Sequence, residues 1–287
     1  MIDPDLQSEC RNIQVTVRTE GAMPLADMQV SPQQTLCKCC GQSSRLCGVV
    51  DFSRCGADHH AGRKVDPYVG VPIYYYRCDE CHFIFTQAMD AWTSRDFAAF
   101  IYNDDYGRHD PDYLGKRPQD NAELIAGNFP EIAQANLLDF GSGLGLLEKE
   151  LKARGFTQVD SYDPYTSGET GRTGLAAKYR TVAAFEVFEH HPQPRALMTD
   201  LAAFLDDDGA ILFSTLLVSD AVAGEGIEKW WYCAPRNGHI SFFTPQSLSR
   251  IGAEHGLTLG SFNEGFHFFF RQHPPAWALK FAHQICS

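Results

Sequence analysis

The tightest constraint on this chain lies between Leu137 and Tyr165. Leu137-Leu138-Asp139-Phe140 runs into Gly141-Ser142-Gly143-Leu144-Gly145, and the stretch ends in Ser161-Tyr162-Asp163-Pro164-Tyr165. Two apolar residues leading into an acid and three alternate glycines read as a buried strand breaking into a tight turn, where missing Cβ atoms let a ligand lie against backbone. Leu146 to Leu151 then carries a helical apolar spacing and closes in Arg154-Gly155, a basic residue and a glycine suited to a helix C-terminus. A second strand over Gln158 to Asp163 completes a βαβ unit. An acid at that strand tip is placed to accept both hydroxyls of a ribose. A dinucleotide-binding turn would need a small residue at position 146, which is Leu, so the pyrophosphate alternative falls.

The 287 residues, 44% apolar and 12% aromatic, suffice for one large domain with a full core plus a small appendage. A net charge of -12 argues against broad contact with a phosphate backbone, so nucleic acid is not an expected partner. There is no apolar run of about eighteen residues, and Met1 to Val30 is too polar for a secretory signal. A cytoplasmic protein without a membrane partner is expected; its oligomeric state is left open.

Seven of the ten cysteines lie between Cys37 and Cys81, a clustering that points to metal rather than disulfides. Cys37-Lys38-Cys39-Cys40-Gly41 holds one Cys-x-x-Cys and Arg77-Cys78-Asp79-Glu80-Cys81-His82 another. Each pair can wrap a turn so that two thiolates face one ion, and two such turns close a tetrahedral site. Strand-like Pro72 to Tyr76 enters the second turn and His82 to Phe85 leaves it, as in a zinc-ribbon hairpin. Structural zinc on Cys37, Cys40, Cys78 and Cys81 is the expectation; four thiolates leave no open position for chemistry. Cys39 could replace a neighbour, and Cys47, Cys55, His59 and His60 are spare ligands on the intervening loop. Upstream, Ile13 to Val17 could be one edge strand, and Cys10 reads as a bystander.

Further along, Lys116 to Phe129 reads as a helix, and Thr181 to Phe185 as a buried strand running into Glu186-Val187-Phe188-Glu189-His190-His191. Residues beyond the carboxyl end of such a strand belong at the mouth of a site. Gly209 to Thr215 is a further strand, Thr244-Pro245 starts an N-capped helix, and Leu257 to Phe262 with Phe266 to Arg271 form an antiparallel pair. Ala276 to Ser287 should be a short terminal helix.

The acid-x-Gly-x-Gly-x-Gly turn with Asp163 resembles the nucleoside-binding half of class I S-adenosylmethionine (SAM) methyltransferases. Glu186-x-x-Glu189-His190 resembles the motif many of them carry after the fourth strand, and Gly238-His239-x-Ser241-Phe242-Phe243-Thr244-Pro245 a segment that walls their acceptor pocket. The paired cysteine turns look like the small domains that precede many bacterial members, sugar C-methyltransferases among them. The resemblance implies an α/β, Rossmann-like, seven-stranded class I methyltransferase sheet with a small zinc-ribbon-like N-terminal domain. The short interval between Pro164 and Thr181, rich in Gly and Thr, implies that the third strand is abbreviated or absent. The segments are then an arm over 1–35, the zinc-ribbon-like domain over 36–90, a helical bridge and lid over 91–125 and the SAM-binding domain over 126–287.

By the same resemblance, Asp139, Gly141, Ser142, Gly143, Asp163 and Pro164 hold the nucleoside, while Glu186 and Tyr106 face the methionine end. Tyr102, Tyr106 and Tyr113 form either a lid or the packing between two domains. A methyl sulfonium is already activated, so the protein must align the acceptor and remove a proton. His190 and His239, with Glu189 beside them, are the candidates, His239 preferred as base. Glu186, Glu189, His190 and a later His also resemble the metal set of small-RNA 2′-O-methyltransferases and ubiquinone-pathway O-methyltransferases. A second divalent ion at Glu186, Glu189, His190 and His239 is therefore an open reading. The expected acceptor is a small molecule, a sugar or secondary metabolite, in a pocket drawing on Trp230, Trp231, Tyr232, Phe242 and Phe243. Two readings compete: a zinc-organised binding protein with a vestigial fold, and an RNA methyltransferase.

Overall fold

The computed structural model describes residues 34–280 apart from 114 and 168. The expected strand over Ile13 to Val17, Cys10 and the end of the terminal helix lie outside those residues. A six-stranded sheet carries the strand signals of the sequence. It contains β5 (Leu137–Phe140), β6 (Val159–Tyr162), β7 (Tyr179–Ala184), β8 (Leu205–Ser214), β10 (Thr258–Ser261) and β11 (Phe266–Phe270), in the order β10-β11-β8-β7-β5-β6. β6, β5, β7 and β8 run parallel, and β11 returns antiparallel on β8 with β10 outside it.

The chain leaves β5 for the edge at β6 and comes back on the other side of β5 at β7. That reversal is a switch point, the place in an open α/β sheet where ligands bind beyond the carboxyl ends of the strands, here β5 and β7. The sheet stops at β6. Residues 164–178 form one helical turn, α6 (Pro164–Ser167), and a 3₁₀ turn over Glu169–Arg172, with no strand among the described residues. Its Gly and Thr content gives no apolar alternation to pair, as expected of the missing third strand.

The first sheet is five-stranded and antiparallel, ordered β1-β2-β3-β4-β9: β1 (Gln34–Leu36), β2 (Ser43–Asp51), β3 (Pro72–Cys78), β4 (Ile84–Thr86) and β9 (Ser241–Phe242). Its last strand comes from the far end of the sequence and pairs Ile84 with Phe242 and Phe85 with Ser241. Tyr76, Phe83 and Phe85 share one buried cluster with Leu138, Phe140, Phe188, Phe213 and Phe243, so the two sheets meet in a common core. On the other face of the larger sheet, Leu137, Leu147, Leu151, Phe268 and Trp277 pack with Ile125. Leu137 and Leu138 thus point to opposite faces, as consecutive strand residues must.

The remaining helices are α1 (Gly56–Ala61), α2 (Ser94–Phe100), α3 (Tyr106–His109), α4 (Lys116–Asn128), α5 (Leu146–Ala153), α7 (Pro194–Phe204), α8 (Asp220–Glu225), α9 (Pro245–Ala253) and α10 (Ala276–Leu279). α5 ends at Arg154 with Gly155 left-handed, as its sequence requires. The Thr244 hydroxyl accepts the Ser247 N–H and caps α9, with Pro245 in its first turn.

Candidate active site and cysteine centre

Three glycines beyond β5 have left-handed backbones, with φ of 75° at Gly141, 53° at Gly143 and 68° at Gly145. Gly141 is also short of room, because a Cβ there would meet Val187 Cγ2 at 2.5 Å. The turn thereby lies directly against the loop after β7. Asp163, at the tip of β6, accepts the Gly143 N–H at 2.9 Å with one carboxylate oxygen and the Tyr165 and Thr166 N–H groups, at 2.8 and 3.0 Å, with the other. Pro164 and the first turn of α6 follow from that cap. Asp139 is buried with one oxygen unpartnered, and burial, then Glu148 and Asp163, push its carboxyl up to about 7. Ser142 donates its N–H to the Tyr162 carbonyl at 3.4 Å.

Three tyrosines connect this turn to the histidines. Tyr106 is buried between Tyr102 and Tyr113, with ring centroids 5.1 and 4.9 Å away, and its hydroxyl lies 3.3 Å from Asp110 Oδ2. The hydroxyl that lies over the glycine turn is that of Tyr113, which a Cβ on Gly143 would meet at 3.3 Å. Tyr102 packs at 6.1 Å from the His190 ring.

Arg117 is a site residue that sequence reasoning passed over. It forms a two-pronged pair with Asp110, at 2.7 and 2.8 Å, and its Nε lies 3.6 Å from Glu186 Oε2. A cation in the first turn of α4 opposes the helix dipole, and that misfit was the one signal available.

Beyond β7, Glu186 has φ of 55°, a left-handed conformation that costs a non-glycine residue on the order of 1–3 kcal/mol. The Ser214 hydroxyl holds it there, accepting the Glu186 N–H at 2.9 Å and donating to Oε1 at 3.0 Å. Glu189, His190 and His239 each offer an atom within 4.8 Å of the others; Glu186 stands outside that group and faces Arg117. Glu189 is fully buried, and although the Tyr232 and Thr215 hydroxyls lie close, neither oxygen has a hydrogen bond of sound geometry. Burial, reinforced by Glu186, pushes its carboxyl up to about 8.

The His190 and His239 rings are 4.8 Å apart. Burial brings His239 down to about 4, and burial with His239 alongside holds His190 well below the ordinary imidazole range. Both are neutral at pH 7. His239 Nδ1 lies 2.8 Å from the Tyr232 carbonyl, which can only accept, so Nδ1 carries the proton and Nε2 keeps its lone pair.

The aromatic wall divides. Phe243 packs into the core against Phe83 and Phe188, and Phe242 lies against Tyr75 and Trp230. Tyr232 faces His239 at 4.3 Å, whereas Trp231 is half-exposed beside His59 and His60.

The four cysteines of the paired turns come together. Cys37 Sγ lies 3.6 Å from Cys81 Sγ and Cys40 Sγ 3.4 Å from Cys78 Sγ, all four within 4.8 Å of one another. The Cys39 N–H points at Cys37 Sγ, and the Glu80 and Cys81 N–H groups at Cys78 Sγ, the donors a thiolate needs. As thiols they differ: Cys37 is held up first by Cys81 and then by burial, whereas at Cys78 burial is outweighed by the Cys81 and Glu80 N–H groups and the neighbouring thiols, which bring it down. Gly41 closes the first turn with φ of 74°, and His82 occupies the same place in the second with φ of 58°. Among the described residues, Cys47, Cys55, His59 and His60 form no such group; the Cys47 thiol donates to the Tyr75 carbonyl and Cys55 to Asp58.

A family profile described as "Methyltransferase domain" matches residues 113–261, more than half of the chain. The ubiquinone biosynthesis O-methyltransferase of Azoarcus sp. (strain BH72) is 28% identical, over 45% of this chain and 67% of its own length. An O-methyltransferase family protein from Burkholderia thailandensis aligns with TM-score 0.46 and 12% identity, covering 64% of each chain. Human N-acetylserotonin methyltransferase aligns with TM-score 0.45 and 13% identity, covering 62% of this chain and 59% of the other. The chain thus spans about two thirds or less of the length of these proteins. Given the switch-point strand order, the glycine turn beyond β5 and the extent of the profile match, the chain belongs to this methyltransferase-domain family and is a class I SAM-dependent methyltransferase.

Proposed function

We propose that the chain methylates a hydroxyl of a small-molecule acceptor, with His239 as general base. The observation that carries this is the tautomer: Nδ1–H is spent on the Tyr232 carbonyl, leaving a neutral Nε2 on a ring that packs against His190 in the loop after β7. Bound in the cleft, SAM supplies the activated methyl group. The glycine turn would meet the nucleoside with main chain, the sides of Gly141 and Gly143 being taken by Val187 and the Tyr113 hydroxyl; Asp163 is the acid at the ribose position, and Arg117 is the cation for a carboxylate at the methionine end. His239 Nε2 takes the acceptor's hydroxyl proton as that oxygen bonds to the methyl carbon and the carbon–sulfur bond breaks. The O-methyltransferase name of the Azoarcus relative supports a hydroxyl acceptor. The acidity of the chain supports a small molecule over RNA.

Cys37, Cys40, Cys78 and Cys81 fit a structural zinc ion, which would hold the two turns and leave no position for substrate. A second reading of the histidine centre rests on Glu189. A buried carboxyl with two unpartnered oxygens beside two neutral imidazoles also suits a divalent ion, which would supply Lewis acidity at the acceptor oxygen. Calorimetric titration with SAM tests the site: the unmodified protein binds, and Asp163→Ala binds roughly 10–100-fold more weakly. No heat from the unmodified protein sinks the reading. Metal analysis before and after mild chelation distinguishes one tight zinc from an added labile ion, and activity surviving loss of the labile ion leaves His239 as base.

A further inference from the structure

The five-stranded sheet reaches the histidine centre through main chain. Tyr75, fully buried in the middle of β3, donates its hydroxyl to the His239 carbonyl at 2.8 Å. The Thr244 hydroxyl donates to the Cys81 carbonyl at 2.7 Å, so the second cysteine turn is tied to the far end of the same segment. Between these points the Thr86 N–H donates to the Ile240 carbonyl at 3.1 Å, and β9 pairs with β4. On its other side the segment grips the loop after β7. The Ile240 N–H donates to the Glu189 carbonyl at 2.8 Å, and the Ser241 hydroxyl to the His191 carbonyl at 2.8 Å. Just upstream, the Arg236 N–H donates to the Arg54 carbonyl and the Asn237 side chain accepts the Gly56 N–H, each at 3.0 Å.

Residues 236–244 are therefore clamped between the cysteine sheet and the Glu189–His191 loop. The His239 ring itself has one hydrogen bond, to Tyr232, so its position follows its main chain. A buried tyrosine hydroxyl needs a partner somewhere. Here the partner is the carbonyl of the histidine that lines the site.

We propose that Tyr75 is a positioning residue for His239, and that the cysteine centre, through Tyr75 and Thr244, sets where the His239 imidazole lies. This rests on the reading of His239 given above. The test uses the whole chain purified without chelator and labelled with ¹⁵N-histidine. Long-range proton–nitrogen spectra report each ring's tautomer and surroundings, with His239→Gln assigning the His239 signals and His267→Gln those of His267.

Tyr75→Phe removes one oxygen and is expected to displace or broaden the His239 signals while those of His267, held by Ser261 and Thr215, stay in place. Thr244→Val, which loses the Cys81 contact, and metal removal by a chelator should act alike, and Thr244→Ser should restore the native signals. Unmoved His239 signals in both Tyr75→Phe and Thr244→Val overturn the proposal. So do His267 signals that move as far as those of His239, since the change is then a general loosening. SAM calorimetry on the same samples keeps the two readings apart: an unmodified protein without SAM affinity fails as an enzyme, whatever the histidine signals do.

Discussion

The parallel half of the six-stranded sheet and the wall over residues 230–245 are assembled in contrasting ways. β5, the glycine turn, α5 and β6 follow one another in the chain and bond to one another, with β7 and the loop after it as a remote support. The wall is held by partners from elsewhere: Tyr75, Cys81, Thr86 and the Glu189 loop. A contiguous unit closes short loops, whereas a wall made of remote pieces closes long ones and needs them all in place. Damage to the first should stay local, and damage to the second should spread.

The largest expected effect tests that spread. Cys81→Ser removes a ligand from a site type whose metal contributes on the order of 10 kcal/mol in small domains. The melting temperature should fall by roughly 10 °C or more by calorimetry, and the histidine centre should be disturbed with it. Unchanged melting would show the wall to be independent of the cysteines. His239→Gln comes next, with turnover down by about 10²–10⁴-fold. SAM affinity, read by calorimetry, should stay within about twofold, because the cleft is the other region.

Asp163→Ala sharpens the contrast from the opposite side. A charged hydrogen-bond acceptor is worth about 1.5–3 kcal/mol, so SAM affinity should drop roughly 10–100-fold while the wall histidines keep their spectra. The pH dependence of stability isolates Asp139. Its folded carboxyl is raised to about 7 from an unfolded value near ~3.9, so its contribution is fully present below ~3.9 and is lost as pH rises toward 7. Relative to Asp139→Asn, the unmodified protein should lose about 1.4 kcal/mol of stability per pH unit across that window in denaturant titrations. The smallest effect is a gain. His82→Gly puts glycine where φ is 58° and should stabilise by about 1 kcal/mol, raising the melting temperature a few degrees despite losing a 3.3 Å contact to the Cys78 carbonyl.

Local chemistry was what the sequence made legible. The glycine turn, the acid at the tip of β6, the cap at Thr244 and the two Cys-x-x-Cys turns each depend on residues within a few positions. The lack of a strand among the described residues of 164–178 was equally readable, because no apolar alternation fills the segment. The donation from Tyr75 to His239, the entry of β9 into the cysteine sheet and the Arg117–Asp110 pair were not. They join residues with nothing in their own neighbourhoods to announce a partner. Glu186 illustrates the boundary: its motif put it at the methionine end and left a shared ion with Glu189 open, and only the fold shows its left-handed backbone and the Ser214 hydroxyl turning its carboxylate toward Arg117.

The contact between Gly141 and Val187 has one more consequence. A methyl group at position 141 meets two obstacles of different kinds: a backbone angle that L-residues rarely adopt and an isopropyl group 2.5 Å away. Shrinking Val187 clears the space and leaves the angle; reshaping the turn relieves the angle and leaves the collision. Any lineage that replaced this glycine would have to change two loops at once, so single substitutions alone offer no easy path away from it.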